Sequence, residues 1–189
     1  MPHLAPRLAN SLACTTSLTD PVSRIRRLEA ADESFVRELF HGERAAQFAP
    51  LGLSDAMLEA LLDQQYHAQR AAYAHRFPDA GHFIIEHAGA GVGRLIVTFA
   101  DAPEVPEAHA RSPGHVLHLV DIVLAAAWRN RGIGSDVIDS LARAGEAVGA
   151  VCFTLLVLQT NHAARRLYER LGFRATAEGV YVFMERKLP

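Results

Sequence analysis

Seven residues decide how this chain folds: Arg129-Asn130-Arg131-Gly132-Ile133-Gly134-Ser135. The apolar segment before them, residues 118–124, is typical of a buried strand. The segment after them carries apolar residues at helical spacing, beginning with Val137, Ile138 and Leu141. The stretch is therefore predicted to join the C-terminal end of a strand to the first turn of a helix. Such a junction favours an anion, because backbone N–H groups converge there and the helix dipole adds partial positive charge.

The composition of this loop indicates that the anion is a phosphate. Gly132 and Gly134 allow the backbone to approach a ligand closely, and Arg129 and Arg131 add positive charge. The sequence lacks the Gly-Lys-Ser/Thr ending of ATP and GTP loops, and Val137 stands where a dinucleotide loop needs its third glycine. The pattern that remains is Gln/Arg-x-x-Gly-x-Gly/Ala, which the loop matches in full.

A second strand and a second helix follow. Residues 151–157 are apolar or β-branched and indicate a buried strand. Ala164, Leu167 and neighbouring apolar residues then form one helical face. Asn161 and Tyr168 are seven positions apart, about two helical turns, so both could point the same way.

The order of these features resembles that of the GNAT superfamily of N-acetyltransferases, over roughly residues 115–173. The order is a strand, the Arg-x-x-Gly-x-Gly loop, a helix, a second strand, the Asn, and a helix that carries the Tyr and ends before Leu-Gly-Phe. The resemblance implies an α/β fold whose mixed, mostly antiparallel central sheet is splayed at its middle, with helices on both faces. It also implies acetyl-CoA as donor, and a primary amine that attacks the thioester directly through a tetrahedral intermediate.

The resemblance further implies where the donor binds. Backbone N–H groups of the loop would hold the pyrophosphate, and those near Ile122 and Leu124 would hold the pantetheine arm and the acetyl carbonyl. The full expected cofactor-binding set is Ile122, Val123, Leu124, Arg129, Asn130, Arg131, Gly132, Ile133, Gly134, Ser135, Asn161 and Tyr168. Asn161 is also interpretable as a helix N-cap.

Two proton transfers need side chains. An amine with a pKa of about 10.4 must lose a proton before attack, and a departing thiolate with a pKa of about 8.5 benefits from a donor. Tyr168 matches the family tyrosine that protonates the sulfur. For the base, Leu119 stands where some members carry glutamate, and Asp121, two residues on, is expected on the same strand face.

Alternatives to Asp121 as the base stay open. They are His118, expected on the opposite face, Glu86, and a water chain with no dedicated base. Asp121 is also interpretable as a structural carboxylate. His115 and His118 have a metal-like spacing but would face opposite sides of a strand, so no metal is expected.

The bulk properties are those of one globular domain. The chain has 189 residues, and its net charge of −2 implies no general attraction to nucleic acid or to anionic membranes. Residues 1–20 are expected to be a flexible extension and residues 21–189 the single acetyltransferase-like domain. Cys14 and Cys152 do not suggest a disulfide framework, which favours the reducing cytoplasm. No apolar run approaches the ~20 residues of a membrane span.

The remaining elements are predicted from periodicity. We expect a strand over residues 23–28, a short helix over 31–40, one or two helices over 54–76 beginning at Ser54, and a hairpin of 82–87 with 92–100. We also expect an acidic surface loop over residues 101–114, and a last strand pair formed by residues 174–178 and 181–187. Gln65, Gln69 and Tyr73 are candidates for lining the acceptor pocket.

These inferences predict a soluble N-acetyltransferase that acts on a small amine, an aminoglycoside-like drug, an amino acid or a protein N-terminus. A homodimer is the candidate oligomeric state. The acidic loop, with Asp101, Glu104 and Glu107, weakly favours a cationic acceptor. Two other functions stay open: a non-catalytic acyl-CoA sensor on the same fold, and a protein that binds a dinucleotide at the loop. Val137 and the lack of an early βαβ unit count against the dinucleotide.

Overall fold

A computed structural model describes residues 18–100, 115–177 and 179–189. Within these ranges the strands form one seven-stranded sheet, in the order β1-β2-β3-β4-β5-β7-β6. The strands are β1 Ser23–Arg27, β2 Gly81–His87, β3 Ala90–Ala100, β4 His115–Leu124, β5 Ala150–Leu158, β6 Arg174–Ala177 and β7 Tyr181–Lys187. Neighbours are antiparallel except β4 and β5, which run parallel, so the expected mixed, mostly antiparallel sheet is confirmed.

Four α-helices accompany the sheet in the described part of the chain: α1 Glu33–Phe48, α2 Asp55–Arg76, α3 Ile133–Ala147 and α4 His162–Arg170. Residues 55–76 form a single helix, and Ser54 caps it by accepting a hydrogen bond from the Met57 N–H at 3.4 Å. Helix α1 continues past residue 40, where it was predicted to end. The prediction stopped there because the later turns of the helix expose polar side chains and carry no apolar periodicity.

Helices pack on both faces of the sheet, as predicted. On one face, Val137, Ile138 and Leu141 of α3 share a core with sheet residues such as Leu95 and Leu119. Helix α4 joins this core through Tyr168. On the other face, Val36 and Phe40 of α1 and Tyr66 of α2 pack around Ile84. The sheet is therefore fixed between two apolar layers that hold its central strands in place.

The two parallel strands separate halfway along their length. They pair from His115 with Ala150 to Leu119 with Leu155, and no pairing continues beyond that point. Residues 120–124 of β4 and residues 156–158 of β5 extend further without facing each other as strand partners. This divergence is the expected splay, and among the described residues it leaves one edge of β4 without a strand neighbour in the middle of the sheet.

The described chain begins against helix α3. The backbone N–H of Thr19 donates to the two carboxylate oxygens of Asp136 at 2.9 Å each, and that of Asp20 donates to one of them at 3.2 Å. The predicted flexible extension up to residue 17, Cys14 and the acidic loop 101–114 lie outside the described residues. No helix in the described ranges is both long enough and apolar enough to cross a membrane.

Candidate functional site

The loop before α3 has an open helix N-terminus. Gly132 is the N-cap residue, its φ of 85° is left-handed, and it has no side chain with which to cap the helix. The first helical bond runs from the Asp136 N–H to the Gly132 carbonyl at 3.0 Å, so the N–H groups of residues 133–135 have no partner within the helix. A Cβ at residue 132 would meet no atom within 4 Å. The turn therefore offers N–H donors beside free space, which suits an anion.

The two loop arginines also hold the loop in place. Arg129 donates from Nε to the carbonyl of Leu124, the last residue of β4, at 2.8 Å. The guanidinium of Arg131 lies 5.0 Å from the ring centre of Trp128, whose ring packs 4.7 Å from that of His87. These contacts connect the loop to the end of β4 and to the β2–β3 hairpin.

A cavity of about 720 Å³ opens where β4 and β5 diverge. Its walls come from residues 118–122 of β4, residues 155–158 of β5 and side chains of α1, α2 and α4. It brings together four predicted site residues, Asp121, Ile122, Asn161 and Tyr168. Gln69 and Tyr73 of α2 also line it, whereas Gln65, Val123 and Leu124 are not among its lining residues.

A β-bulge in β4 changes which way the candidate base points. Leu119 pairs with Val97 and Asp121 pairs with the adjacent Ile96, so Val120 is an extra residue in β4. Leu119 lies in the core shared with α3, whereas Asp121 pairs with Arg94 and the His118 ring packs 5.7 Å from that of Phe77, at the end of α2. The expectations that Asp121 shares the face of Leu119 and that His118 faces the other way are wrong, because alternation fails at a bulge.

Asp121 forms an ion pair with Arg94 of β3. Their side chains are 18% and 6% exposed, and Arg94 Nη2 also lies 3.3 Å from the Gln69 Oε1. Sequence reasoning missed Arg94, although an arginine inside an otherwise apolar strand is itself a signal of a buried charge pair. The pair fixes the Asp121 carboxylate at the cavity wall.

Two tyrosines of the cavity keep their protons at neutral pH. Burial, and secondarily the negative charge of Asp121, raises the pKa of Tyr168 to about 12. The same two causes raise the pKa of Tyr73 to about 12. Tyr168 is 8% exposed and packs 5.8 Å from the Phe173 ring, so its hydroxyl is held at one position in the wall.

The acetyltransferase (GNAT) family matches residues 46–173, more than half of the chain. The chain belongs to the GNAT acetyltransferase family. The match covers helix α2, the open loop, the diverging strands and the helix with Tyr168.

Solved structures with the GNAT fold agree with this assignment. The PaiA N-acetyltransferase from Thermoplasma acidophilum, in complex with coenzyme A, aligns with a TM-score of 0.61 at 15% identity, over 87% of this chain and 98% of that one. The putative acetyltransferase yncA from Salmonella typhimurium, with its cofactor acetyl-CoA, gives 0.52 at 18% identity, over 89% and 95%. NAA60 from Arabidopsis thaliana, in complex with a bisubstrate analogue, gives 0.60 at 13% identity, over 88% and 99%. At these identities the likeness concerns the fold.

Two predicted residues of this GNAT chain have structural partners. The Asn161 side chain accepts a hydrogen bond from the Ala164 N–H at 3.2 Å, which confirms its N-cap role while it also lines the cavity. Glu86 pairs with Arg24 and, at 2.6 Å, with Arg26 of β1, and the hydrogen bond from Arg26 is the main reason that its pKa is lowered. Glu86 does not line the cavity, so the hypothesis that it is the base is not supported.

Metal-ligating side chains are scattered rather than clustered. In the described ranges no three or more His, Cys, Asp or Glu side chains are grouped so that they could hold a metal ion. The polar groups that the structure places around the loop and the cavity include backbone N–H groups, Tyr73, Tyr168, the Asp121–Arg94 pair and His118.

Proposed function

We propose that this chain transfers an acetyl group from acetyl-CoA to a primary amine. One observation carries the proposal: the uncapped N-terminus of α3 at Gly132 follows directly on the part of β4 that has lost its β5 partner. A diphosphate suits the helix N-terminus, and an amide-containing thioester arm suits the unpaired edge of β4. Membership of the GNAT family supports acetyl transfer as the reaction class.

The loop is assigned to the diphosphate. Its oxygens would accept hydrogen bonds from backbone N–H groups of Arg131, Gly132, Gly134 and Ser135. The Arg129 N–H, also expected there, already donates to the Ala126 carbonyl at 3.3 Å. These donors are charge-complementary to a phosphate, because the helix dipole places partial positive charge at the same end. Bound acetyl-CoA would supply an acetyl group already activated as a thioester.

The free edge of β4 is assigned to the acyl arm. Backbone N–H groups near Ile122 and Leu124 would orient the arm and polarise the acetyl carbonyl. One donor aimed at the oxygen on which negative charge develops is worth about 3 kcal/mol in the transition state. The support for this assignment is that residues 120–122 are partly exposed, whereas residues 116–119 of the same strand are buried.

Two side chains are assigned to the reacting groups. Tyr168 holds the proton that the departing sulfur takes up, and its raised pKa keeps that proton available. Asp121 attracts the ammonium form of the acceptor. Its carboxylate already accepts a hydrogen bond from Arg94 Nη2, so taking a proton would weaken that ion pair, and its role is electrostatic.

The test is acetyl transfer by the purified chain. Acetyl-CoA is mixed with a panel of polyamines, aminoglycosides, amino acids and N-terminal peptides. The panel includes both polycationic amines and amines that carry a carboxylate, because carboxylates of Glu43 and Asp121 and guanidinium groups of Arg44 and Arg76 line the cavity. Release of free thiol that depends on one amine class, with the acetylated amine identified by mass, is expected. Tight binding of acetyl-CoA with no turnover on any amine would favour a sensor, and thermal stabilisation by NAD alone would contradict the donor.

Tyr168→Phe is expected to lower kcat at least about tenfold while the Kd for acetyl-CoA changes little, because it removes only the proton donor. With a pKa of about 12, the tyrosine of the wild type stays protonated as the pH rises to about 10. The wild-type rate should therefore show no alkaline decline from this group below that pH. Steady-state kinetics between pH 6 and about 10 measure both effects.

The matched control is Tyr66→Phe. Tyr66 is also buried, and its hydroxyl donates a hydrogen bond of 2.9 Å to Glu33 that the variant loses, but Tyr66 does not line the cavity. Its kcat should match the wild type. Equal turnover in Tyr168→Phe and wild type would remove the acid role.

A further inference from the structure

Helix α1 brings a guanidinium to the wall of the cavity. Arg44 lies one helical turn after Phe40, and its Cζ is 4.8 Å from the centre of the Phe40 ring. Phe40 is 2% exposed and belongs to the apolar cluster that packs around Ile84. Arg44 also lines the cavity. Its positive charge is therefore held against a fixed aromatic ring at the place where an acceptor would enter.

The Arg44 side chain has a hydrogen-bond donor to spare. Its Nε is buried and has no hydrogen-bond partner among the residues that the structure describes. A buried N–H without an acceptor is unfavourable, and a bound molecule can supply the missing partner. The guanidinium is a planar fork of N–H donors, so a carboxylate is the group that complements it in both shape and charge.

A carboxylate and a guanidinium lie around the same part of the cavity. Burial is the main cause that raises the pKa of Tyr73 to about 12, and four charged side chains also act on its hydroxyl. They are Asp121, Arg94, Arg44 and Glu43. An acceptor beside Tyr73 would therefore meet Asp121, which attracts an ammonium group, and Arg44, which attracts an anion.

These charges do not suit a polycation. The charge of Asp121 is already matched by Arg94, whose side chain is 6% exposed. Glu43 is the other carboxylate among the described residues that line the cavity, and Arg44 follows it directly in the chain. Further ammonium groups on an acceptor would approach the guanidinium groups of Arg44 and Arg76 in the same wall, and like charges repel. An acceptor with one amine and one carboxylate avoids this repulsion.

We propose that the acceptor is a small amine that carries a carboxylate, as amino acids do, and that Arg44 selects it by binding that carboxylate. The acceptor class rests on the acetyl transfer proposed above and names the substrate of that reaction. Arg44 determines specificity and takes no part in proton transfer. Its replacement should therefore change the KM for the acceptor and leave the Kd for acetyl-CoA as it is.

The first test pairs each acid with its amide. Glycine, β-alanine and γ-aminobutyrate are compared as acceptors with their amides, because the amide keeps the size of the molecule and removes its negative charge. The series also varies the spacing between the amine and the carboxylate. The wild type should show a kcat/KM at least about tenfold higher for one acid than for its amide. Polyamines and aminoglycosides should be poorer acceptors than that acid.

The second test removes the guanidinium. Arg44→Gln should raise the KM for the preferred acid about a hundredfold, because the carboxylate loses its charged partner, and should leave the KM for the amide unchanged. Arg44→Lys keeps the charge without the planar fork, so its KM should be intermediate.

The matched control is Arg70→Gln. The Arg70 guanidinium lies 5.5 Å from the centre of the Tyr66 ring, which belongs to the same apolar cluster as Phe40. Arg70 is not among the described residues that line the cavity. This variant should keep the wild-type kinetics with both the acid and the amide.

A binding measurement gives a readout without turnover. The complex with coenzyme A is titrated calorimetrically with the N-acetylated acid and with its amide. The wild type should bind the acid with a Kd at least about tenfold lower. Arg44→Gln should abolish this difference and Arg70→Gln should keep it.

The outcomes separate the acceptor class from the proposed function. If the wild type acetylates amines but acid and amide give equal kcat/KM, or if polycationic amines are preferred, the acceptor class is overturned and acetyl transfer stands. A preference that persists in Arg44→Gln and is lost in Arg76→Gln would overturn the assignment to Arg44. If the wild type binds acetyl-CoA and acetylates no amine, the proposed function fails and the acceptor class with it.

Discussion

Replacing Gly132 with aspartate should raise the Kd for acetyl-CoA at least about a hundredfold. The new carboxylate would stand at the open N-terminus of α3, beside the proposed diphosphate site. Two unit charges about 5 Å apart repel by about 3 kcal/mol at an effective dielectric of 20, and each 1.4 kcal/mol is a factor of ten in Kd. Calorimetric titration with coenzyme A and with acetyl-CoA measures the change.

Two further variants separate charge from backbone strain in this experiment. Gly132→Asn has the same shape as Gly132→Asp without the charge, so its Kd should rise much less. Gly149→Asp places the same residue at the same φ of 85°, with open space around its Cβ, beyond the far end of α3. Its Kd should be unchanged. A Gly132→Asp protein that is folded and binds coenzyme A with wild-type affinity would contradict the phosphate assignment.

Gly93→Ala should destabilise the protein by about 3 kcal/mol, because a Cβ at residue 93 would lie 2.5 Å from the Val123 carbonyl oxygen and 2.6 Å from the Leu124 Cδ2. The oxygen belongs to the backbone, so β3 and β4 must move apart to make room. For a chain of this length, that loss corresponds to a fall in Tm of roughly 6–12 °C. Calorimetry or urea unfolding measures it.

The same substitution should weaken donor binding, because residue 93 pairs with Leu124 at the end of the free β4 edge. Gly42→Ala is the control: this glycine lies in α1, and its Cβ would meet nothing within 4 Å. It should gain up to about 1 kcal/mol, since alanine favours a helix more than glycine does. A Tm for Gly93→Ala equal to that of the wild type would show that the two strands are not held as closely as described.

The sequence predicted the fold best where apolar patterns were dense. Strand β5 was expected over residues 151–157 and spans Ala150–Leu158, since an unbroken apolar and β-branched run has few alternatives. The helix after the glycine loop and the N-cap at Ser54 were predicted for the same kind of local reason. Helix α1 was predicted too short, because the apolar pattern reports where a helix is buried and not where it ends.

The side chains of the site were less predictable. The faces of His118 and Asp121 depend on the bulge at Val120, and a bulge is set by how β4 registers against β3. Arg94 acquires its role only through Asp121 on the neighbouring strand, 27 residues away in sequence. A single chain read in order carries no direct signal for such pairs, although the lone arginine in β3 gave an indirect one.

The divergence of β4 from β5 also bears on what else can enter the cavity. Residues 120–124 have backbone N–H and C=O groups on a strand edge that is not paired with β5, as an edge strand of an ordinary sheet does. An extended molecule with alternating hydrogen-bond donors and acceptors can pair with such an edge as an additional strand. Peptide-like inhibitors of this protein could therefore be built on main-chain pairing, and mutation of side chains would do little to make the protein resistant to them.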